Sequence, residues 1–256
     1  MPPTPEAVDV SYITPRHLAG GGDPAWITVP LHRACGWSHG NDPLMPRVIL
    51  SSPDQRALLR LAPDPDGQWW TLHHAPERDR PAWYASFGAR TPVEIIAGFT
   101  DALTAPATTA STDPYEPLRQ TGWSPTAQQN GFAAPDNTAF VKRLGSKEDP
   151  GAWFVTATLG PDRPVWQARF CEHTPPRLVA AFTTALADPR PVPRTSLRSL
   201  PTCNPSIVTR KSLEVPAVYV ASALDERVHS LAARRADPPA SPSALRRPPP
   251  EHGRSR

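Results

Sequence analysis

Between residues 83 and 87 the apolar Trp83, Ala85 and Phe87 alternate with Tyr84 and Ser86, and 83 positions later Trp166, Ala168 and Phe170 keep that alternation while Gln167 and Arg169 take the other face. A period of two marks a strand with one face in a core. Downstream the period changes. Ile95, Ile96, Phe99 and Leu103, and again Leu178, Val179, Phe182 and Leu186, recur at three and four residues and so lie on one stripe of a helix. Thr91 as N-cap, Pro92 in the first turn and Glu94 three residues after the cap predict a capping box, of which the second copy keeps Thr174 and Pro175 but not the acid, having Arg177.

Upstream, residues 47–51 and 56–61 are short β-prone runs on either side of Ser52-Pro53-Asp54-Gln55, a turn in which proline sets φ and aspartate can cap the backbone. Residues 68–75 and 80–87 supply two more strands after a turn at 64–67. The expected fold class is α+β: two tandem modules, each a four-stranded antiparallel sheet with a C-terminal helix packed on one face. A further strand over 26–29 and a helix over 31–37 are expected before the first sheet, with only the helical part, near Leu118, in the second. Such an order resembles in topology the repeated half of TATA-binding proteins, a likeness of fold alone.

The duplication itself is direct. With an offset of 83 held over residues 79–106, 14 of 28 positions are identical, where about two would coincide by chance. Gly36-Trp37-Ser38 answers Gly122-Trp123-Ser124, and Gly67 and Trp69 align with Gly151 and Trp153. The expected units are 12–106, 114–189 after an Ala/Thr/Pro linker over 104–113, and a Pro/Arg-rich tail over 190–256. That tail is expected to be disordered apart from one helix near 217–235 carrying the stripe Val220, Leu224, Val228 and Leu231.

Charge changes this picture. The net of +3 divides into −4 over residues 1–189 and +7 over residues 190–256, so the basic character belongs to the tail, including Arg234, Arg235, Arg246 and Arg247. The modules lack the bulk charge that drives counterion release from nucleic acid, although a local basic patch is compatible with it. No leader-like start and no run near the roughly 18 apolar residues of a membrane span is present. Cys35, Cys171 and Cys203 are too few and too scattered for a disulfide framework. A cytoplasmic protein without membrane attachment is expected.

Candidate chemistry is sparse. His73 and His74 are adjacent on a strand and must point to opposite faces, so they cannot share one ion, and His17, His32 and His39 have no ligand-spaced companions. Gly20-Gly21-Gly22 lacks a phosphate-loop context and reads as a flexible turn. Asp64 and Asp66 lack the rest of a calcium loop, and Ser51, Ser52, Cys35 and Cys171 have no nucleophile setting. No catalytic, cofactor or metal residue is assigned. The aromatic residues remain: Trp70 and Tyr84, with Phe154 and Arg169 in the second copy, are the candidate partner surface, unless that sheet face packs against the other module.

The run Ser51-Ser52-Pro53-Asp54-Gln55, with Gly36-Trp37, Trp69, Trp83 and the Thr91-Pro92 helix start, resembles the SPDY domain family, domain of unknown function 317, over roughly residues 12–220. Gln55 replaces the tyrosine of the name motif, and the second copy reads Ala134-Pro135-Asp136-Asn137. The resemblance implies tandem copies and an actinomycete, Streptomyces-like source, which 3 lysines among 27 basic residues would fit. It implies no activity. The expected function is non-enzymatic binding or scaffolding, with a protein partner or self-association. The alternatives are nucleic-acid binding through the tail and an aromatic sheet face, and an enzyme with its site between the modules.

Overall fold

The computed structural model describes residues 6–40, 47–63, 67–106, 113–145 and 151–236. In chain order these form β1 (Ala7–Thr14), a short 3-10 helix (Arg16–Leu18), α1 (Ala25–Arg33), β2 (Ser38–Gly40), β3 (Val48–Ser51), β4 (Ala57–Leu61), β5 (Gln68–His74), β6 (Trp83–Gly88) and α2 (Val93–Thr104). The second copy follows as α3 (Glu116–Gln120), β7 (Ser124–Pro125), β8 (Gly131–Ala133), β9 (Ala139–Leu144), β10 (Ala152–Thr158), β11 (Pro164–Phe170) and α4 (Pro176–Ala187). Then come β12 (Val192–Arg194), β13 (Thr209–Pro216) and α5 (Ala217–Ala236).

The expected pair of four-stranded sheets is instead one sheet of ten strands, ordered β2-β3-β4-β5-β6-β11-β10-β9-β8-β7. Each copy contributes five strands as a meander, and the copies join edge to edge. Across the seam Phe87 pairs with Ala168, Ser86 with Arg169 and Ala85 with Phe170. Because Phe87 and Phe170 are repeat equivalents, as are Ala85 and Ala168, the register is that of a pseudo-two-fold axis through the Ser86–Arg169 pair. Fusing the last strands covers the edge that each module would otherwise expose.

The repeat-equivalent helices α2 and α4 cover the same sheet face. Phe87, Phe99, Phe170 and Phe182, two from each copy and all fully buried, form a ring cluster over the seam with centroids 5.1–5.7 Å apart. Gly98 lets α2 approach α4 closely: a Cβ there would lie 2.6 Å from that of Ala185.

Several local expectations change. Residues 26–29 are helical, within α1, not a strand: Ile27, Pro30 and Leu31 are buried at helical spacing, and Asp23 Oδ1 accepts the Ala25 N–H at 2.9 Å. The β-branched residues there are outvoted by that period. The capping box does not form, because Pro92 is extended (ψ 128°) and the helix starts after it. Thr91 Oγ1 is buried without a partner among the described residues, and Glu94 reaches Arg194 instead. A bulge at Trp69 also shifts the repeat: Trp70 pairs with Phe87 as Trp153 pairs with Phe170, so Trp70, not Trp69, is the partner of Trp153.

Residues 190–236 are not a disordered stretch around a helix. β12 and β13 flank β1 in a three-stranded antiparallel sheet, so the two ends of the described chain close on each other. The expected helix is α5, held by buried Val228 and Leu231 and by Arg227, which contacts Asp101 at 2.8 Å and lies over Trp26. Residues 237–256, with Arg246 and Arg247, lie outside the described residues, as do Asp64 and Asp66.

His17 packs beneath the second Pro-Asp turn, its Nε2 2.6 Å from Thr138 Oγ1 and 3.6 Å from Asp136 Oδ2. Burial pushes its imidazolium pKa down to about 4, with Asp136 opposing that shift. Between the ordinary value near 6.5 and 4 the unfolded chain takes up a proton that the folded one refuses, so stability should fall as pH drops through that window. Urea midpoints at pH 7, 5.5 and 4.5 should show this decline, and His17→Gln should flatten it. Parallel curves for the two proteins would refute the assignment to His17.

Candidate functional site

With the helices all on one side, the opposite face of the ten-stranded sheet has no layer over it among the described residues. Its residues follow from the ladder, since directly paired residues share a face. One row runs Ile49, Arg60, Thr71, Ser86, Arg169, Phe154 and Lys142, from β3 to β9. Beside it lie Leu58, His73 and Tyr84 in the first copy and Gln167, Thr156 and Phe140 in the second.

The four candidate surface residues separate. Tyr84, Phe154 and Arg169 are on this open face, and Tyr84 is 47% exposed. Trp70 is not: it points under the helices and is 2% exposed. Its neighbour Trp69, the extra residue of the bulge, is the exposed ring at 43%. Two adjacent tryptophans require one inside and one outside. Which is which depends on the bulge, and the sequence carries no signal for it.

Charge on this face is of one sign. At the outward positions of the described strands the ionised side chains are Arg60, Arg169 and Lys142, and no carboxylate occupies any of them. Arg60 and Lys142 are equivalent through the pseudo-two-fold axis, five strand steps or about 24 Å apart, and Arg169 sits at its centre. Arg169 spends its Nε–H on Gln167 Oε1 at 2.8 Å, which directs the guanidinium along β11, and Lys142 lies over the Phe140 ring. Next to Tyr84 an open hollow of about 420 Å³ is lined by Arg56, Leu58 and His73. The net negative charge of the modules is thus carried elsewhere.

His73 faces this surface beside Tyr84, whereas His74 stacks on buried Trp83 at 5.0 Å on the other face. Among the described residues no three His, Cys, Asp or Glu side chains gather into a metal-holding group. Between the modules there is a packed seam. At one end of it His74, Glu77 and Arg80 approach Arg177 around a space of only about 30 Å³, the size of one water. Cys171 also belongs to the seam: its Sγ accepts the Tyr84 N–H at 3.3 Å.

Of the tail residues, Arg234 contacts Asp101 at 3.1 Å and so helps to dock α5, while Arg235 is exposed. Residues that the sequence did not single out hold the other end of the fold together. Arg194, on β12, makes a bidentate pair with Glu94 at 2.6 and 2.9 Å and donates to the carbonyls of Ala19, Gly20 and Pro193. The three glycines are accordingly a packed strap and not a flexible turn: a Cβ at Gly20 would lie 2.6 Å from Ser199 O, and one at Gly21 2.6 Å from Ala89 O.

Two Pro-Asp turns lie at equivalent places. Ser52 Oγ donates to Asp54 Oδ1 at 2.5 Å and accepts the Ala57 N–H, and Asp136 Oδ1 accepts the Thr138 N–H. Gln55 and Asn137 follow with φ of 59° and 56°. The family model SPDY, a domain of unknown function (DUF317), matches residues 51–109 and 133–192, each segment running from such a turn through three strands to the helix. No curated protein and no solved structure matches the chain. No helix among the described residues is long and apolar enough to cross a membrane. With one match on either side of the pseudo-two-fold axis, the chain carries two tandem SPDY domains and belongs to that family.

Proposed function

We propose that the protein is a non-enzymatic binding protein whose working surface is the open face of the ten-stranded sheet, and that a single-stranded nucleic acid is its occupant. The observation that carries this reading is the presence of Arg169 and Lys142 on a face whose outward positions in the described strands hold no carboxylate, with Phe154 between them and Tyr84, Phe140 and the exposed Trp69 on the same face. Cations at intervals along a face can neutralise a phosphate backbone while rings take bases by stacking, which needs no sequence-specific contact. An open sheet face of this kind suits an extended strand of roughly 4–16 nucleotides. Local charge sign, not the overall pI, supports this reading.

A labelled oligothymidylate should therefore bind at low salt, with affinity falling steeply as salt rises. Lys142→Ala and Arg169→Ala should each lower the slope of log affinity against log salt by about one. Tyr84→Ala should weaken binding by about 1–3 kcal/mol, the worth of a stacked base. Absence of binding at low salt, or binding indifferent to all three changes, would end the nucleic-acid reading. A protein partner is the second reading, supported by the exposure of the apolar side chains Leu58, Trp69 and Tyr84.

A further inference from the structure

We propose that the cavity under α5, remote from the open sheet face, is a binding site for a neutral, mainly apolar small molecule. The cavity holds about 590 Å³, within the roughly 300–1,000 Å³ usual for ligand pockets. Its walls come from separate parts of the chain: Val10 and Tyr12 on β1, Val215 on β13, Trp26 on α1, and Val220 and Leu224 on α5.

The helix above it is packed over only half its length. Val228 and Leu231 are buried, yet Val220, Ala223 and Leu224, one or two turns earlier on the same apolar stripe, are only half-buried because the cavity lies between them and the body of the protein. An apolar stripe held off its own core leaves apolar area for another molecule to cover.

The polar groups define the charge of that molecule. Arg194 borders the cavity, but all five of its N–H groups are taken, two by Glu94 and three by the carbonyls of Ala19, Gly20 and Pro193, and each Glu94 oxygen accepts one of them. A ligand carboxylate or phosphate would meet no vacant donor on the guanidinium, and the carboxylate of Asp23 at the rim would repel it. Tyr12, Ser196 and Ser199 are among the lining residues, and their hydroxyls suit a single hydroxyl or carbonyl on an otherwise apolar body. A cation would have to be desolvated against mainly apolar walls with only the exposed Asp23 to pair with, so the ligand class is uncharged, with one hydrogen-bonding end.

The test uses the full chain and the neutral probe N-phenyl-1-naphthylamine, whose emission rises in apolar surroundings. Saturable, one-to-one enhancement is expected. Decanol should displace the probe, and decanoate should need at least ten times the concentration. Ala223→Trp, which places an indole in the cavity, should weaken probe binding at least tenfold with an unchanged far-ultraviolet spectrum; Val220→Trp, one turn earlier, serves if the first variant misfolds. Absence of saturable enhancement, or retention of full affinity in a folded tryptophan variant, would overturn the site. Equal competition by decanoate would overturn its preference for neutral ligands. Oligonucleotide binding reports on the sheet face independently of every one of these outcomes.

Discussion

Phe87→Ala should destabilise the protein by about 3–5 kcal/mol, the range for truncating a buried aromatic side chain. Phe87 is fully buried and touches both copies: Phe99 at 5.6 Å on α2 of its own copy, and Phe170 and Phe182 at 5.7 and 5.6 Å across the seam. Little can move in to fill the gap, because β6 and β11 are tied by their ladder and α2 and α4 already meet at Gly98. Against a total stability of about 5–15 kcal/mol this is a large fraction. Urea unfolding followed by tryptophan fluorescence and by circular dichroism would measure it. Phe170→Ala, the equivalent change, should cost a similar amount, while Phe154→Ala on the open face should cost less than about 1 kcal/mol. A loss at Phe87 below 1 kcal/mol, or separate transitions for the two copies in the wild-type protein, would contradict a shared seam core.

Arg194→Met should cost about 3–5 kcal/mol for a different reason. The side chains of Arg194 and Glu94 are only 7% and 16% exposed, so removing the guanidinium leaves a carboxylate in poor contact with water and strips three carbonyls of their donor. The cost is the uncompensated charge more than the lost attraction. Arg194→Met combined with Glu94→Gln should therefore recover part of the stability, a non-additivity that a double-mutant cycle measures. The change should also loosen the glycine strap and the β12 edge, visible as faster proteolysis near residues 19–23. A loss below 1 kcal/mol, or a double variant no better than the single one, would show that the pair does not bear this load.

Much of the local structure is readable in the chain. The alternation around Trp83 and Trp166, the helical stripes ending at Leu103 and Leu186, the Pro-Asp turns and the stripe of α5 all reflect periodicity or backbone chemistry within a few residues. Two of the segments whose structure departs from expectation carry conflicting local signals. Residues 26–29 combined β-branched side chains with helical spacing, and Thr91-Pro92-Glu94 met the pattern of a capping box although the extended Pro92 delays the helix by one residue.

Of the candidate site, Tyr84, Phe154 and Arg169 were identifiable because strand alternation assigns them to the face opposite the core. The Trp69–Trp70 choice was not, because a bulge is set by pairing with a distant strand. Arg194 and the glycine strap were hidden for a related reason. Apart from the adjacent Pro193 carbonyl their partners are 68 to 179 residues away, and a lone arginine in a proline-rich stretch looks like tail composition until the chain ends meet.

By itself, then, the sequence determined two copies of one strand-and-helix unit, their inner and outer faces, and their turns, since each of these follows from short-range periodicity. Only the tertiary structure decided that the copies share one sheet instead of stacking face to face. Joining two edge strands satisfies backbone hydrogen bonds that no local pattern reports, and it puts both outer faces on the same side, with no layer over them among the described residues. That single pairing gathers Arg60, Arg169 and Lys142 into one row, although they span 109 residues of sequence from first to last and belong to modules of net negative charge.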